Sequence, residues 1–374
     1  LGGGIGYSES QSFILSGNFV DSNFLGTGER IAVELYGGRY SSVYSFSHTN
    51  PYVTIDGIAR TVSLTYRDIT QFVSAASDFS SETMTAALEY GYPITEYQGV
   101  RLGVALQRAE LLTSELGSAV QAQEWVRNNG DSFERIGVDF FGNRFRFFGT
   151  RIDSIDLIAG WSFDTRNRAL FADRGARHAL SLTYTLPGSD VEYVVASYDF
   201  QQYFRLPLLD FLPLRFASRV AHARALGDTT APPPYRNFFI GGPDTVRGFR
   251  EGTLGPRDSF GNPYGGDLIV TGQVEAILPM PRKFTETARL SIFYDFGQAA
   301  YLGDTRFTDK SGFPIEYDFD VGAFRTSVGV SVQWLSPMGL FRFSWAQPLR
   351  YRKETQLYYG DEIERFQFSI GTAF

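Results

Sequence analysis

Along nearly the whole chain, apolar and polar side chains alternate with a period of two, the spacing of a strand whose two faces meet different surroundings. Val62, Leu64 and Tyr66 share one face while Thr61, Ser63, Thr65 and Arg67 share the other. The same split recurs at Met84, Ala86, Leu88 and Tyr90 against Thr83, Thr85 and Glu89, and at Val100, Leu102, Val104 and Leu106 against Arg101 and Gln107. It continues at Leu180, Leu182, Tyr184 and Leu186, then at Val328, Val330, Val332 and Trp334, and ends with Phe366, Phe368 and Ile370 opposite Arg365, Gln367 and Ser369. A helix-rich fold is excluded by this pattern. One short helix is expected, over residues 114–128, as a lid element capped by Ser or Thr.

A soluble all-β protein also alternates, but its connections usually stay short at both ends. Here they differ by rim. Counted from the N-terminus, the even-numbered turns are short and rich in Pro and Gly, at residues 21–28, 50–57, 92–99, 206–213, 279–284 and 336–339. The odd-numbered ones include the long loops 110–143, 227–266 and 303–323. Short turns on one rim, long loops on the other and one greasy face per strand predict an all-β fold: a closed, antiparallel transmembrane β-barrel of about 16 strands. Closure satisfies every backbone group in lipid, where an open edge would not survive. A large soluble all-β protein is the competing fold. The 34 Phe, 21 Tyr and 4 Trp suit the aromatic girdles of a barrel, or are ordinary strand formers.

Composition narrows the function. A net charge of −7 argues against a nucleic-acid partner, and the absence of cysteine removes disulfides, thiolate metal sites and Cys nucleophiles. Three His leave few metal ligands, and no phosphate-binding Gly-x-x-x-x-Gly-Lys loop occurs, so no cofactor or metal is expected. Without a linker or a shift in composition, residues 1–374 read as one domain.

The strongest local signal is Gly241-Gly242-Pro243-Asp244-Thr245-Val246-Arg247-Gly248-Phe249-Arg250, followed by Leu254-Gly255-Pro256-Arg257 and Tyr264-Gly265-Gly266-Asp267. A loop that folds back into a polar lumen needs glycine for close turns, and an arginine head taken there needs carboxylates. Strand parity offers two. Glu275 lies on the face of Thr271 and Gln273, opposite Val270, Val274 and Leu278, and Asp295 lies on the face of Ser291, opposite Leu290, Ile292 and Tyr294. The planar guanidinium of Arg247 is expected to bridge both. Alternatively each carboxylate simply faces lumenal water.

The first strand reads Gly2-Gly3-Gly4-Ile5-Gly6, with little side chain to pack. It should close poorly on the last strand, which carries Phe368, Ile370, Gly371 and Phe374. Relief of crowding at a barrel bend is the other reading of these glycines.

Val246-Arg247-Gly248-Phe249 in a long sixth odd-side loop resembles the hallmark of the outer-membrane protein insertase superfamily. Gly-Pro-Arg at 255–257, Asn50-Pro51-Tyr52 with Asp56-Gly57, Phe24-Leu25-Gly26-Thr27-Gly28, Ala346-Gln347-Pro348 and the terminal 366–371 run extend the likeness across the chain. Phe374 matches the terminal aromatic common in such barrels, although Thr372 stands where an apolar residue is usual.

The resemblance implies the central insertase of the β-barrel assembly machinery in a Gram-negative outer membrane. Its expected partners are unfolded β-barrel precursors, assembly lipoproteins, and outer-membrane lipid with lipopolysaccharide. It also implies pairing of Arg247 with Glu275 and Asp295, and a lateral gate between the first and last strands. The family carries periplasmic POTRA domains ahead of its barrel, and the chain begins directly in the first strand, so docking through them is expected to be absent here. Two alternatives stay open, a sibling insertase or secretion pore of the same superfamily and a passive porin. A barrel lipase is disfavoured. Ser218 and His222 share a strand face but sit roughly 13 Å apart at strand spacing, too far for a nucleophile and its base.

Overall fold

The computed structural model describes residues 2–8, 12–38, 41–70, 79–138, 144–205, 212–336 and 339–371. Parts of the expected turns 206–213 and 336–339 lie outside these, as does Phe374. Sixteen antiparallel strands form the wall. In chain order they are β1 (Gly2–Ser8), β2 (Ser12–Asp21), β3 (Arg30–Gly37), β4 (Ser41–Asn50), β5 (Ala59–Thr70), β6 (Phe79–Thr95), β7 (Gln98–Ser114) and β8 (Arg144–Asp164). They continue as β9 (Gly175–Thr185), β10 (Glu192–Arg205), β11 (Pro213–Leu226), β12 (Leu268–Leu278), β13 (Ala288–Ala300), β14 (Arg325–Ser336), β15 (Gly339–Arg350) and β16 (Phe366–Gly371). Each strand pairs with its sequence neighbours, and β1 meets β16 to close the ring. Among the described residues no helix is long and apolar enough to cross a membrane, so the crossing elements are strands.

The period-two pattern sets which way each side chain points. Leu64, Leu102 and Val330 are 47%, 59% and 48% exposed on the outer face, whereas their inward counterparts Ser331 and Gln367 are 4% and 1% exposed. Placing such aliphatics in lipid is favourable by about 1.5–3 kcal/mol each. It requires the ladder hydrogen bonds to close on themselves, as this ring does.

Three features depart from simple alternation. An additional strand, Asp131–Val138, lies within the long loop between β7 and β8 and pairs with the upper end of β8, from Arg144 to Arg151. The helix expected over 114–128 forms only over Val120–Asn128, here α1. Ahead of it the Ser114 and Ser118 hydroxyls accept from the backbone N–H groups of Gly117 and Ser114, which favours a turn over helix. Its cap is Ala119, which supplies no side-chain bond, instead of the Ser or Thr expected. α1 packs inward, Trp125 and Val126 joining Leu111, Phe148, Ile152 and Tyr193 in an apolar cluster, with Trp125 Nε1 donating to Ala231 O at 2.8 Å. Lastly, the turn 165–174 between β8 and β9 folds under the barrel. Ala172 is 1% exposed, and its carbonyl accepts from Arg289 at the start of β13.

Candidate functional site

The loop between β11 and β12 folds back as a hairpin inside the barrel, held by bridges Phe238↔Gly266 and Ile240↔Leu254. Its tip is seated by apolar contact. Val246, Phe249, Ile240 and Leu254 are fully or almost fully buried against Ala221, Ile269 and Ala299 of the wall. The wall is shaped to receive them: a Cβ at Gly297 would come within 2.9 Å of Val246 Cγ2.

This seating aims Arg247 at β12 and β13. The register Gln273↔Asp295 and Glu275↔Phe293 places the two carboxylates on neighbouring strands facing inward. Arg247 Nε and Nη2 donate to Asp295 Oδ2 and Oδ1 at 2.6 and 2.7 Å, and its backbone N–H donates to Oδ2 at 3.0 Å. Nη1 lies 2.7 Å from Glu275 Oε1. The guanidinium carbon sits 3.5 Å from the centre of the Phe293 ring, so four sides of the head are occupied. Glu275 also lies 3.4 Å from Arg215 Nη1, which brings this buried group to two cations and two anions. Two carboxylates on one buried guanidinium suit its charged form.

Gly248 then turns the chain toward the seam. Its φ of +90° is left-handed backbone, and a Cβ there would meet the Ala346 Cβ at 2.9 Å, so both backbone and space call for glycine. From this turn the loop reaches β16. Gln367 accepts from Gly248 N at 3.3 Å and donates to Phe249 O at 2.7 Å, Phe249 bridges Ile363, and Glu364 N donates to Gly248 O at 3.0 Å. Outside the membrane span, Glu362 takes Arg250 Nη1 at 2.9 Å and Arg257 Nη1 at 3.0 Å. Partial burial pushes the Glu362 carboxyl up, but the two guanidinium groups hold it below the ordinary glutamate value.

A second anchor, absent from the sequence reading, lies eleven residues before Arg247. Arg236 Nη2 donates to Gln107 Oε1 at 2.8 Å and to Tyr193 OH at 2.9 Å, and lies 3.7 Å from Asp156 Oδ2. Loop residues carry no periodicity, so nothing in the sequence distinguishes this arginine. Phe293 and Gln367 were recognisable as inward by parity, but nothing in the sequence joins them to the loop.

At the seam, β1 pairs with β2 from Gly2↔Asn18 through Ile5↔Leu15 to Ser8↔Ser12. Across to β16, the described residues share a single paired position, Tyr7↔Ile370. Gly6 comes close there, since a Cβ would lie 3.3 Å from Ile370 O. The other tie is aromatic, with the Tyr7 ring 5.6 Å from Phe13 and 6.5 Å from Phe368, which stacks on Phe343 at 4.9 Å. Gly3, Gly4 and Gly371 lie in the same two strands, and Phe374 lies outside the described residues. His222 Nδ1 lies 3.1 Å from the Asp267 carbonyl oxygen, on a strand whose Ser218 pairs with Gly272.

The Omp85 superfamily domain matches residues 23–374. The outer membrane protein assembly factor BamA of Neisseria meningitidis serogroup B is 28% identical over 387 aligned residues, covering 99% of this chain and 46% of that protein. BamA of Nitratidesulfovibrio vulgaris is likewise 28% identical, over 100% of this chain and 41% of its own length. The chain thus spans less than half the length of these curated relatives. Among solved structures, BamA from Haemophilus ducreyi lacking POTRA domains 1–3 superposes with a TM-score of 0.80 at 26% identity, covering 99% of this chain and 69% of that one. CdiB from Acinetobacter baumannii, at 12% identity and a TM-score of 0.51, shares the fold. With its closed wall of sixteen strands and a family match over almost its full length, the chain is an outer-membrane β-barrel and belongs to the Omp85 superfamily.

Proposed function

We propose that the chain is the barrel of a BamA-type assembly factor, which folds and inserts other β-barrels through a lateral gate between β1 and β16. The observation that carries this reading is the seam. Among the described residues one paired position, Tyr7↔Ile370, joins β1 to β16, and β1 carries four glycines. A glycine-rich strand released from this contact presents unpaired N–H and C=O groups, which an incoming strand can satisfy by β-augmentation. The work comes from the substrate, whose backbone pairs and whose apolar face leaves water for lipid. No nucleotide or other cofactor is required, and the barrel acts without being an enzyme. Its partners are unfolded barrel precursors, the surrounding lipid and lipopolysaccharide, and assembly lipoproteins reached through domains outside this chain.

A sibling insertase or secretion pore of the superfamily would share the seam. A passive porin needs an open lumen, and the anchored loop speaks against it. The register now names the test. Tyr7→Cys with Ile370→Cys, in a chain that has no other cysteine, places a crosslink at the paired position. In liposomes, oxidation should stop precursor insertion and reduction should restore it, with the barrel folded throughout. Insertion at the parent rate by the quantitatively crosslinked protein would exclude lateral opening. A large, stable single-channel conductance would favour the porin.

A further inference from the structure

Beneath the tip of the β11–β12 loop lies a half-open cavity of about 200 Å³. Pro243 and Asp244 of the tip form its roof, Leu170 and Phe171 of the inturned 165–174 turn form its floor, and the first residues of β11, β13 and β15 contribute to its wall. Five arginines line it: Arg166, Arg215, Arg247, Arg289 and Arg342. Three have a carboxylate of their own. Arg166 holds Asp164 through two nitrogens at 2.9 and 2.7 Å, Arg247 holds Asp295, and Arg342 pairs with Asp244.

Arg215 and Arg289 are placed differently. Arg215 reaches Gln273 and Glu275 through Nη1 alone, at 3.2 and 3.4 Å, and Glu275 is already 2.7 Å from Arg247. Arg289, 8% exposed, donates to the Ala172 carbonyl, faces the rings of Phe171 and Tyr203, bonds the Tyr203 hydroxyl and shares the field of Glu275 with Arg215 and Arg247. The two guanidinium groups are within electrostatic reach of each other. Among the described residues, then, five cations face four carboxylates, inside a chain whose net charge is −7. An excess of positive charge lining a half-open cavity favours a counter-anion, and planar guanidinium forks match carboxylate and phosphate.

We propose that this chamber binds one carboxylate or phosphate group between Arg215 and Arg289. Resting on the function proposed above, its occupant during insertion is the C-terminal carboxylate of the precursor. The chamber suits that role by position: Leu340 and Arg342 of its wall belong to β15, the strand paired with β16 at the seam.

Two probes separate the possible sources of the anion. Inorganic phosphate and a nine-residue peptide of sequence 366–374, which contains the closing strand β16, would be titrated calorimetrically into the folded barrel at constant ionic strength. The peptide would be used both as free acid and as amide. Phosphate should bind saturably, and the acid should bind at least tenfold tighter than the amide. Arg215→Gln with Arg289→Gln should weaken phosphate tenfold or more and erase the difference between acid and amide. Arg215→Lys with Arg289→Lys, which keeps the charge but loses the planar forks, should bind both probes more weakly than the unsubstituted chain but more tightly than the Gln pair. If the Gln pair does not fold, the acid-to-amide ratio in the unsubstituted chain and the Lys pair still decide. Absence of saturable phosphate binding, or binding unchanged in a folded Gln pair, overturns the site. Phosphate binding with equal affinity for acid and amide overturns the precursor terminus as occupant. None of these readouts uses insertion, so a barrel that binds the acid but inserts no precursor keeps the chamber and loses the function.

Discussion

Arg236 Nη2 lies 2.8 Å from Gln107 Oε1, a contact between a residue of the β11–β12 loop and one of β7, while Arg247 is fixed to β12 and β13. The loop is thereby a brace across the lumen, pinned to two different parts of the wall. Arg236→Ala removes charge-assisted bonds that together hold the descending limb by about 2 kcal/mol, a factor of about 30 in local opening. Proteolysis of the folded barrel should speed up within 227–240 and much less within 254–266. Equal acceleration throughout, or none, would show that the limb is held elsewhere.

Arg247→Ala leaves Glu275 and Asp295 buried on adjacent strands with only the more distant Arg215 and Arg289 to offset them. The expected loss is about 3 kcal/mol, because a broken buried pair strands its partner charges. Adding Glu275→Gln and Asp295→Asn to Arg247→Ala should recover much of it. The barrel's unfolding midpoint in urea reports both steps, and a triple variant no more stable than the single one would argue against stranded charge as the cause.

Gly248→Ala tests the turn rather than the charge. Left-handed backbone and a 2.9 Å approach to Ala346 together should cost about 1–3 kcal/mol. Amide exchange at Gly248 and Glu364, whose N–H groups bond across to Gln367 and back to Gly248, should rise while exchange in β12 and β13 stays unchanged.

The tie of Arg250 and Arg257 to Glu362 is predicted to depend on pH. With its folded value depressed by the two arginines, Glu362 contributes stability that is full above the unfolded glutamate value and lost as pH falls through the lower folded one. Cleavage within 351–365 should therefore accelerate on acidification through that range, and Glu362→Gln should cleave at the faster rate at every pH. The carboxylate is part-exposed, so the effect is modest.

Much of the wall was legible because lipid outside and water inside impose one rule on every strand. Val62 and Ser63, or Ile292 and Asp295, can be assigned to a face from their neighbours alone. Glu275 and Asp295 were placed inward in this way, and the structure brings both to Arg247. The rule stops where the strands do. Arg236 sits in a loop, the inturned 165–174 turn has no period to reveal that Ala172 is buried, and the Asp131–Val138 strand adds height outside the membrane where neither face must be greasy. The helix began late because two serine hydroxyls captured backbone donors, a local competition that a face count cannot register.

Gln367 and its neighbours have a consequence for which way a seam like this could give. β16 is stitched to the loop tip at Gly248 and Phe249, and the tip is riveted through Arg247 to β12 and β13, so β16 behaves as a door jamb built into the frame. Among the described residues β1 has no such fastening: it pairs with β2 along its length and meets β16 at Tyr7, like a leaf on its hinge. Under the gating proposed above, the swing would belong to β1, and the edge it bares is the one poorest in side chains and least able to refuse a new neighbour.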